Sequence, residues 1–433
     1  MKIKQKISFK FLKTEITKNS AKLLFSNFAS QAIGLLIYPV LTRLYMPDDF
    51  GLLNLFMSIA GIVVLFATAE YQYAIVLPKE EENAKAFFQV GFCLCCMVTL
   101  VCVLTVPFAE QIAFLFNTPD LRCWYFLLPI FVFLSAVWNL LNYWFTRQKM
   151  FGSIGGYQLS QSILNAGTKT SFGYVGLTNG GLLISTILSP FLSLLTSIIF
   201  AYKRIKPLFF FSKQQCLSVA NRYANFPKFS LPRAVVNNVS GNLPILLLTP
   251  FFGLAEIGYF GMALTLAFRP INMISSSLYQ VFFQRTTEQV NQRKSVMPFF
   301  KKFLLKAVFL VFPLFIVLFF FLPDLTEWLL GKGWNQAGNY ICLMLPWLAM
   351  SILVAPISYL SDVFFQQKKG LFFEIFIVAM RLIGLGIGIL RHDFQLAIIG
   401  FCTGSAVVIF LQLIWFLSLV RRYERSIKSG DGL

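Results

Sequence analysis

A chain of 433 residues that is 57% hydrophobic and only 13% charged lacks the polar surface that a soluble fold of this size requires. Its mean hydropathy of +0.70 excludes soluble multidomain architectures and places it among polytopic membrane proteins. The formal net charge of +19 would suggest nucleic acid if it were gathered on one surface. It is instead spaced along the chain, so no nucleic-acid partner is expected.

Apolar runs of roughly 20 residues or more, enough to cross a bilayer as helices, recur about twelve times. They fall near 21–44, 52–77, 86–116, 123–146, 154–177, 180–202, 232–252, 256–283, 302–322, 338–362, 370–390 and 394–420. The third is long enough to tilt or to extend past the bilayer. This predicts an all-α polytopic membrane protein of about 12 transmembrane helices. Its parts are a basic N-terminus (1–20), an N-terminal six-helix bundle (21–202), a linker (203–231), a C-terminal six-helix bundle (232–420) and a tail (421–433).

Cations gather in every second connection: Lys2 to Lys22, Lys79 and Lys85, Arg147 and Lys149, Lys203 to Arg233, Arg285 to Lys306, Lys368 and Lys369, and Arg421 to Lys428. The opposite connections hold only Arg43, Arg122, Lys332 and Arg391. This positive-inside pattern makes both termini and the linker cytoplasmic, with attraction to anionic membrane lipids as a secondary effect. The basic start followed by an apolar run imitates a signal peptide. However, the run is too long, carries Asn27 and Gln31, and lacks a small-residue cleavage site, so an uncleaved first helix is expected.

In that first run, Asn27, Ser30, Gln31, Gly34, Tyr38 and Thr42 advance by three or four residues. A helix collects them into one polar stripe, which must meet other helices or a wet cavity rather than lipid. The run ends at Arg43, and Met46-Pro47-Asp48-Asp49-Phe50-Gly51 reads as a tight turn. The pattern returns half a chain later: Leu41–Gly51 aligns without a gap on Leu248–Gly258, with Gln31 on Asn238 and Gly34 on Gly241. A looser echo pairs Leu128-Pro129 with Leu345-Pro346 and Gln148-Lys149 with Gln367-Lys368. Two halves repeated in the same order are typical of transporters built from two similar bundles.

Further polar stripes lie inside the apolar runs. The fifth carries Gln158, Gln161, Asn165 and Lys169, within about 60° of one another on a helical wheel. The seventh carries Arg233, Asn237, Asn238 and Gly241. The eighth carries Arg269, Asn272 and Ser276, with Pro270 beside the arginine. The eleventh carries Glu374 and Arg381, then Gly384 and Gly388 at a spacing that permits close helix contact. Lys169, Arg269 and Arg381 are cations well inside the membrane, each costing roughly 2.5–3.5 kcal/mol near the bilayer centre on insertion scales. They must therefore face water or an anion. Glu70 and Glu374 are the deep acids. Alternatives stay open: Asn and Gln stripes serve either as interhelical hydrogen bonds or as a lumen wall, Glu374 either binds an ion or neutralises Arg381 through a neighbour, and Arg43 either snorkels to the interface or touches substrate.

No Gly-rich phosphate cradle, metal-binding helix motif or nucleophile elbow is present, so no enzyme and no cofactor are expected. Cys93, Cys95, Cys96 and Cys102 share one apolar run without a histidine, and His392 sits in an outer turn beside Asp393. Zinc-ligand spacing is absent, and no metal is expected.

The first helix ending Pro39-Val40-Leu41-Thr42-Arg43, the turn from Pro47 to Gly51 and the run closing on Ala74-Ile75-Val76-Leu77-Pro78 before acidic residues carry a resemblance. They are similar to the polysaccharide-unit (Wzx-like, O-antigen) flippases of the multidrug/oligosaccharidyl-lipid/polysaccharide exporter superfamily. The chain departs from that family at Glu70-Tyr71-Gln72, where many relatives place a base before the aromatic and an acid after it. The resemblance implies two six-helix bundles in a V with a cavity between them. It also implies flipping of undecaprenyl-pyrophosphate-linked oligosaccharide units across the bacterial inner membrane, with polysaccharide polymerase and chain-length proteins as further partners. Lys169, Arg269, Arg381, Arg43, Gln31, Gln158, Gln161, Asn165, Asn237, Asn238 and Asn272 would then line the substrate path, and Glu70 and Glu374 would be coupling-ion candidates. A cation-coupled multidrug antiporter of the same superfamily is the alternative, but it should present deep acids, whereas the deep charge here is more basic. A membrane polysaccharide polymerase or ligase is disfavoured by the short outer connections.

Overall fold

The first apolar run does not make one straight helix. In the computed structural model, which describes residues 22–429 apart from 24, 210–212 and 224–225, it forms α1 (25–36) and α2 (Tyr38–Leu44), separated at Ile37. Pro39, in the first turn of α2, has no N–H to continue the ladder from α1 and its ring crowds the preceding turn. The basic segment expected over 1–20 and the last residues of the tail, 430–433, lie outside the described residues.

Extended Tyr45 and Met46 then reverse the chain into α3 (Pro47–Thr68). Pro47 fits the first helical turn, where its missing donor costs nothing. Asp49 accepts a hydrogen bond from the Met46 N–H at 2.8 Å, and with Asp48 it places negative charge at the positive end of the helix dipole. Its counterpart in the repeat, α12 (Leu254–Asn291), starts after Gly253. Met46 and Gly253 therefore fall opposite each other in the same gapless register that places Leu41 on Leu248.

The second run was expected to stay helical to residue 77, but α3 stops at Thr68. Ala69 (φ 44°) and Glu70 (φ 64°) are both left-handed, and Tyr71–Val76 continue as a 3-10 helix. Non-glycine residues in that region are held by their surroundings rather than by preference. Arg147, last residue of α7 (Leu127–Arg147), braces the segment that follows them. Its Nη1 donates to the carbonyls of Ile75 (3.2 Å) and Pro78 (2.6 Å), and its Nη2 to those of Lys79 (3.4 Å) and Glu80 (3.3 Å). A planar cationic fork thus closes the carbonyl end of the 3-10 helix.

The long third run is α4 (Glu81–Thr105), broken at Val106-Pro107-Phe108 before α5 (Ala109–Leu115) and α6 (Pro119–Trp124). After α7 come α8 (Phe151–Tyr174) and α9 (Thr178–Ile205). The linker is packed rather than loose. Its helix α10 (Lys213–Arg222) lies on α4, with the Cys216 thiol on Gln89 Oε1 at 3.2 Å, and Tyr71 Oη donates to the Ala220 carbonyl at 3.2 Å.

The described chain separates into two compact units, ending and beginning at Asn242 and Leu243. This boundary falls inside α11 (Leu231–Phe252), because the start of that helix is hydrogen-bonded to α3. The second unit continues through α12, α13 (Met297–Leu330), α14 (Asn335–Val354), the short α15 (Leu360–Val363), α16 (Gln367–Leu390) and α17 (Phe394–Ser429). Helices α16 and α17 approach closely: a Cβ on Gly384 would strike the Gly400 backbone, and one on Gly388 would strike Ala397. The looser sequence echo reappears shifted. Left-handed Lys149 and Phe365 precede α8 and α16 in the same helix-ending turn, with Met150 N–H on the Phe145 carbonyl (2.8 Å) and Gln366 N–H on that of Ser361 (2.7 Å). Lys149 thus corresponds to Phe365 rather than Lys368, since the turn is a backbone motif that residue identity does not reveal.

Ten helices among the described residues are long and apolar enough to cross a membrane. Helix α8 has 24 residues, about 36 Å at the helical rise, but its polar stripe lowers its hydropathy. With α8 and α1–α2 included, the twelve expected crossings are accounted for, and the chain is a multi-pass membrane protein.

Candidate functional site

In the first unit, α8 runs beside α1 and α2 in parallel. Gly155 packs on Ser26, where a Cβ would lie 2.6 Å from Oγ, and Gly173 packs on Leu44, 2.9 Å from its Cβ. These contacts place equivalent points of the two helices at equal depth along eighteen residues of each. Gln31 therefore lies level with the Gln158–Gln161 turn, and Lys169 is roughly one helical turn deeper than the level of Arg43. Lys169 is half-buried, and its carbonyl accepts from Tyr45 Oη at 2.7 Å. Gln158, Gln161 and Asn165 are also half-buried, while Gln31 is exposed. Gln158 Oε1 is enclosed without a hydrogen-bond partner, an arrangement that leaves an acceptor available to a ligand or water. Arg43 is exposed and curls back, Nη1 donating to the Pro39 carbonyl at 3.0 Å.

Asn238 is used differently. Asn242 Nδ2 donates to the Asn238 carbonyl (3.0 Å) and to its Oδ1 (3.1 Å), and Ser58 Oγ donates to Asn242 Oδ1 (3.0 Å). Gly61 leaves the space that Asn238 fills, 3.6 Å from a Cβ position. This polar seam joins α3 to the start of α11, whereas Asn237, one residue away, is exposed. Ser58 and Gly61 were not singled out from sequence, although Asn54, Ser58 and Gly61 follow helical spacing and Ser58 Oγ also donates to the Asn54 carbonyl at 2.7 Å.

Glu70 is 5% exposed and Gln72 6%, so the site where the chain departs from its resembled family is buried. Nearby, the Tyr73 and Tyr143 rings meet edge-on at 4.9 Å.

In the second unit, Arg269 is half-buried on α12 and Asn272 is exposed one turn on. Arg381 is 8% exposed. Its Nε donates to Ser405 Oγ at 2.9 Å, and its guanidinium lies over Phe401 (4.8 Å) and Trp347 (5.3 Å). That environment is a packing seam between α14, α16 and α17. Glu374, two turns away, instead borders a separate cavity of about 310 Å³ with Ser351, Ser358 and Gln412. At the start of α12, Tyr340 Oη donates to Glu256, the residue aligned with Asp49, and accepts from Gln336 Nε2 at 3.0 Å. No group of histidine, cysteine and carboxylate side chains suited to a metal is present among the described residues.

Residues 40–339 match a family described as "Polysaccharide biosynthesis protein". The succinoglycan biosynthesis transport protein ExoT of Rhizobium meliloti (strain 1021) is 22% identical over 285 residues, 64% of this chain and 55% of that protein. The chain thus aligns with about half the length of that relative. Among solved structures, the lipid II flippase MurJ in an inward closed conformation superposes with a TM-score of 0.70 at 14% identity, covering 94% of this chain and 91% of that one. An inward-facing multidrug resistance MATE family transporter of the MOP superfamily gives 0.66 at 14% identity, over 92% and 96%. The fold is therefore the all-α fold of that superfamily.

Proposed function

Because this chain belongs to the polysaccharide biosynthesis protein family, we propose that it is a transporter, not an enzyme, that flips lipid-linked oligosaccharide repeat units across the bacterial inner membrane. The units ride on undecaprenyl pyrophosphate and move from the cytoplasmic to the periplasmic face for surface polysaccharide assembly, both termini being cytoplasmic. The observation that carries this reading is the placement of half-buried cations on polar helix faces, Lys169 on α8 and Arg269 on α12. A pyrophosphate and acidic sugars are anions whose passage needs wet, cationic groups, while the polyprenyl tail stays in lipid. Gln31, Gln158, Gln161 and Asn165 supply neutral donors and acceptors that suit sugar hydroxyls. Arg381, enclosed by Ser405 and two rings, serves packing.

The test is the fate of lipid-linked repeat units in cells lacking the gene. Units should accumulate on the cytoplasmic face, and the intact chain should restore export. The rival reading, cation-coupled drug export, is favoured by the buried acid Glu70. Normal polysaccharide export in the deletion strain, together with gradient-driven drug efflux lost with Glu70→Gln, would establish the rival instead.

A further inference from the structure

Helices α12 and α13 enclose a cavity of about 880 Å³ whose character changes along its length. One end is lined by Arg285, Lys302 and Lys306, the remainder by apolar side chains including Ile271, Leu278, Leu310 and Phe315. Its base is aromatic: the Phe282 ring meets Phe299 and Phe303, each at 4.8 Å, and Arg285 lies 4.8 Å over Phe299. Helix α13 packs on α14 and lightly on α17, so most of its surface, including Phe309, Leu310 and Phe312, is exposed.

We propose that this groove holds a resident anionic glycerophospholipid, with its phosphate on Arg285, Lys302 and Lys306 and its acyl chains along the apolar wall. Charge complementarity is the first argument. Among the described residues no carboxylate pairs with these cations, unlike Lys85, which pairs with Glu81 and Glu82, and Arg122, which pairs with Glu110. Glu424, the acid beside Ser295 at the rim, is committed to α13, accepting from Ser295 Oγ and the N–H groups of Val296 and Met297. Depth is the second argument. Ile271 to Arg285 spans about 21 Å along α12, and one leaflet with its head-group region measures about 20–22 Å. A two-chain phospholipid fits that depth, whereas a long polyprenyl chain would leave most of its length outside. Third, Gln289 lines the basic end and its Oε1 is buried without a hydrogen-bond partner, an acceptor that a head-group hydroxyl would satisfy. Basic pockets between transmembrane helices are a general means of holding acidic head groups.

The test uses the purified full chain in detergent, titrated with dioleoyl phosphatidylglycerol, dioleoyl phosphatidylcholine or undecaprenyl phosphate and read by native mass spectrometry. Phosphatidylglycerol should bind in preference to the choline lipid. The combined variant Arg285→Gln, Lys302→Gln, Lys306→Gln should lose roughly 100-fold in affinity, about five-fold for each neutralised cation. Leu278→Trp, which fills the apolar wall and leaves every charge, should also reduce binding, and it carries the test alone if the triple variant does not fold. Equal binding of the two phospholipids, or binding unchanged in both variants, overturns the proposal. So does displacement of phosphatidylglycerol by an equal amount of undecaprenyl phosphate, which would make the groove part of the substrate path.

Discussion

Arg381 Nε donates to Ser405 Oγ at 2.9 Å, so a cation expected to line a wet path is tied to the neighbouring helix. Each ring beneath it contributes about 0.5–2 kcal/mol, and a hydrogen bond to a charged group about 1.5–3 kcal/mol. These sum to about 2.5–7 kcal/mol, and removing a buried charge recovers part of it, so Arg381→Ala should destabilise the second unit by at least about 2 kcal/mol. The measurement is membrane abundance and apparent melting temperature in detergent. A variant with normal abundance and melting but lost export would return Arg381 to the substrate path.

The seam between α16 and α17 gives a prediction about size alone. Gly384 faces the Gly400 backbone, whereas Gly386, on the same helix, has nothing within 4 Å of its Cβ position. Gly384→Leu should force the helices apart and sharply reduce folded protein, beyond the 1–3 kcal/mol typical of overpacking. Gly386→Ala should be neutral or stabilising by up to about 1 kcal/mol, since glycine is costly within a helix. Size-exclusion profiles of the two variants check the contrast, and equal profiles would contradict the packing.

Arg147 bonds four carbonyls between Ile75 and Glu80. Arg147→Lys keeps the charge but loses the fork, so it should hold fewer of them. Hydrogen exchange across residues 71–80 should accelerate in that variant, while exchange in α16 and α17 stays unchanged. Unchanged exchange over 71–80 would mean that this segment is held by other contacts.

These residues mark what could be read in the chain beforehand. The repeat of Leu41–Gly51 in Leu248–Gly258 was legible, but the stretch read as a turn at Met46–Gly51 is already helical from Pro47, because a proline and acidic residues serve a first helical turn as readily as a loop. The close approach at Gly384 and Gly388 was legible from spacing alone. The stop of α3 at Thr68 was not, because the apolar run continues past it and no local pattern favours a left-handed Ala69. The break after α4 at Val106-Pro107-Phe108 was not read either, because the apolar run continues through it. The polar stripe of α8 was readable as a stripe, but periodicity names a face and not its neighbour. Arg381 and Asn238 therefore looked like their fellow polar residues until Ser405, Phe401 and Asn242 were seen beside them.

Lys169 and Arg269 provide the sharpest test of the proposed path. Both are half-buried, and a flippase must release what it binds, so they are expected to act as weak, separate attractions rather than one tight pocket. Charge should then matter more than shape. Lys169→Arg and Arg269→Lys should each keep much of the export activity. Lys169→Gln and Arg269→Gln should reduce it at unchanged membrane abundance, because both are half-buried whereas Arg381 is 8% exposed. Reversal to glutamate should abolish it, since an anion passing an anion is repelled where low dielectric strengthens the interaction. The assay compares accumulated lipid-linked repeat units with the amount of each variant in the membrane. Full export by the Lys169→Gln, Arg269→Gln double variant would refute the cationic path, and reduced abundance in place of reduced export would make both residues structural.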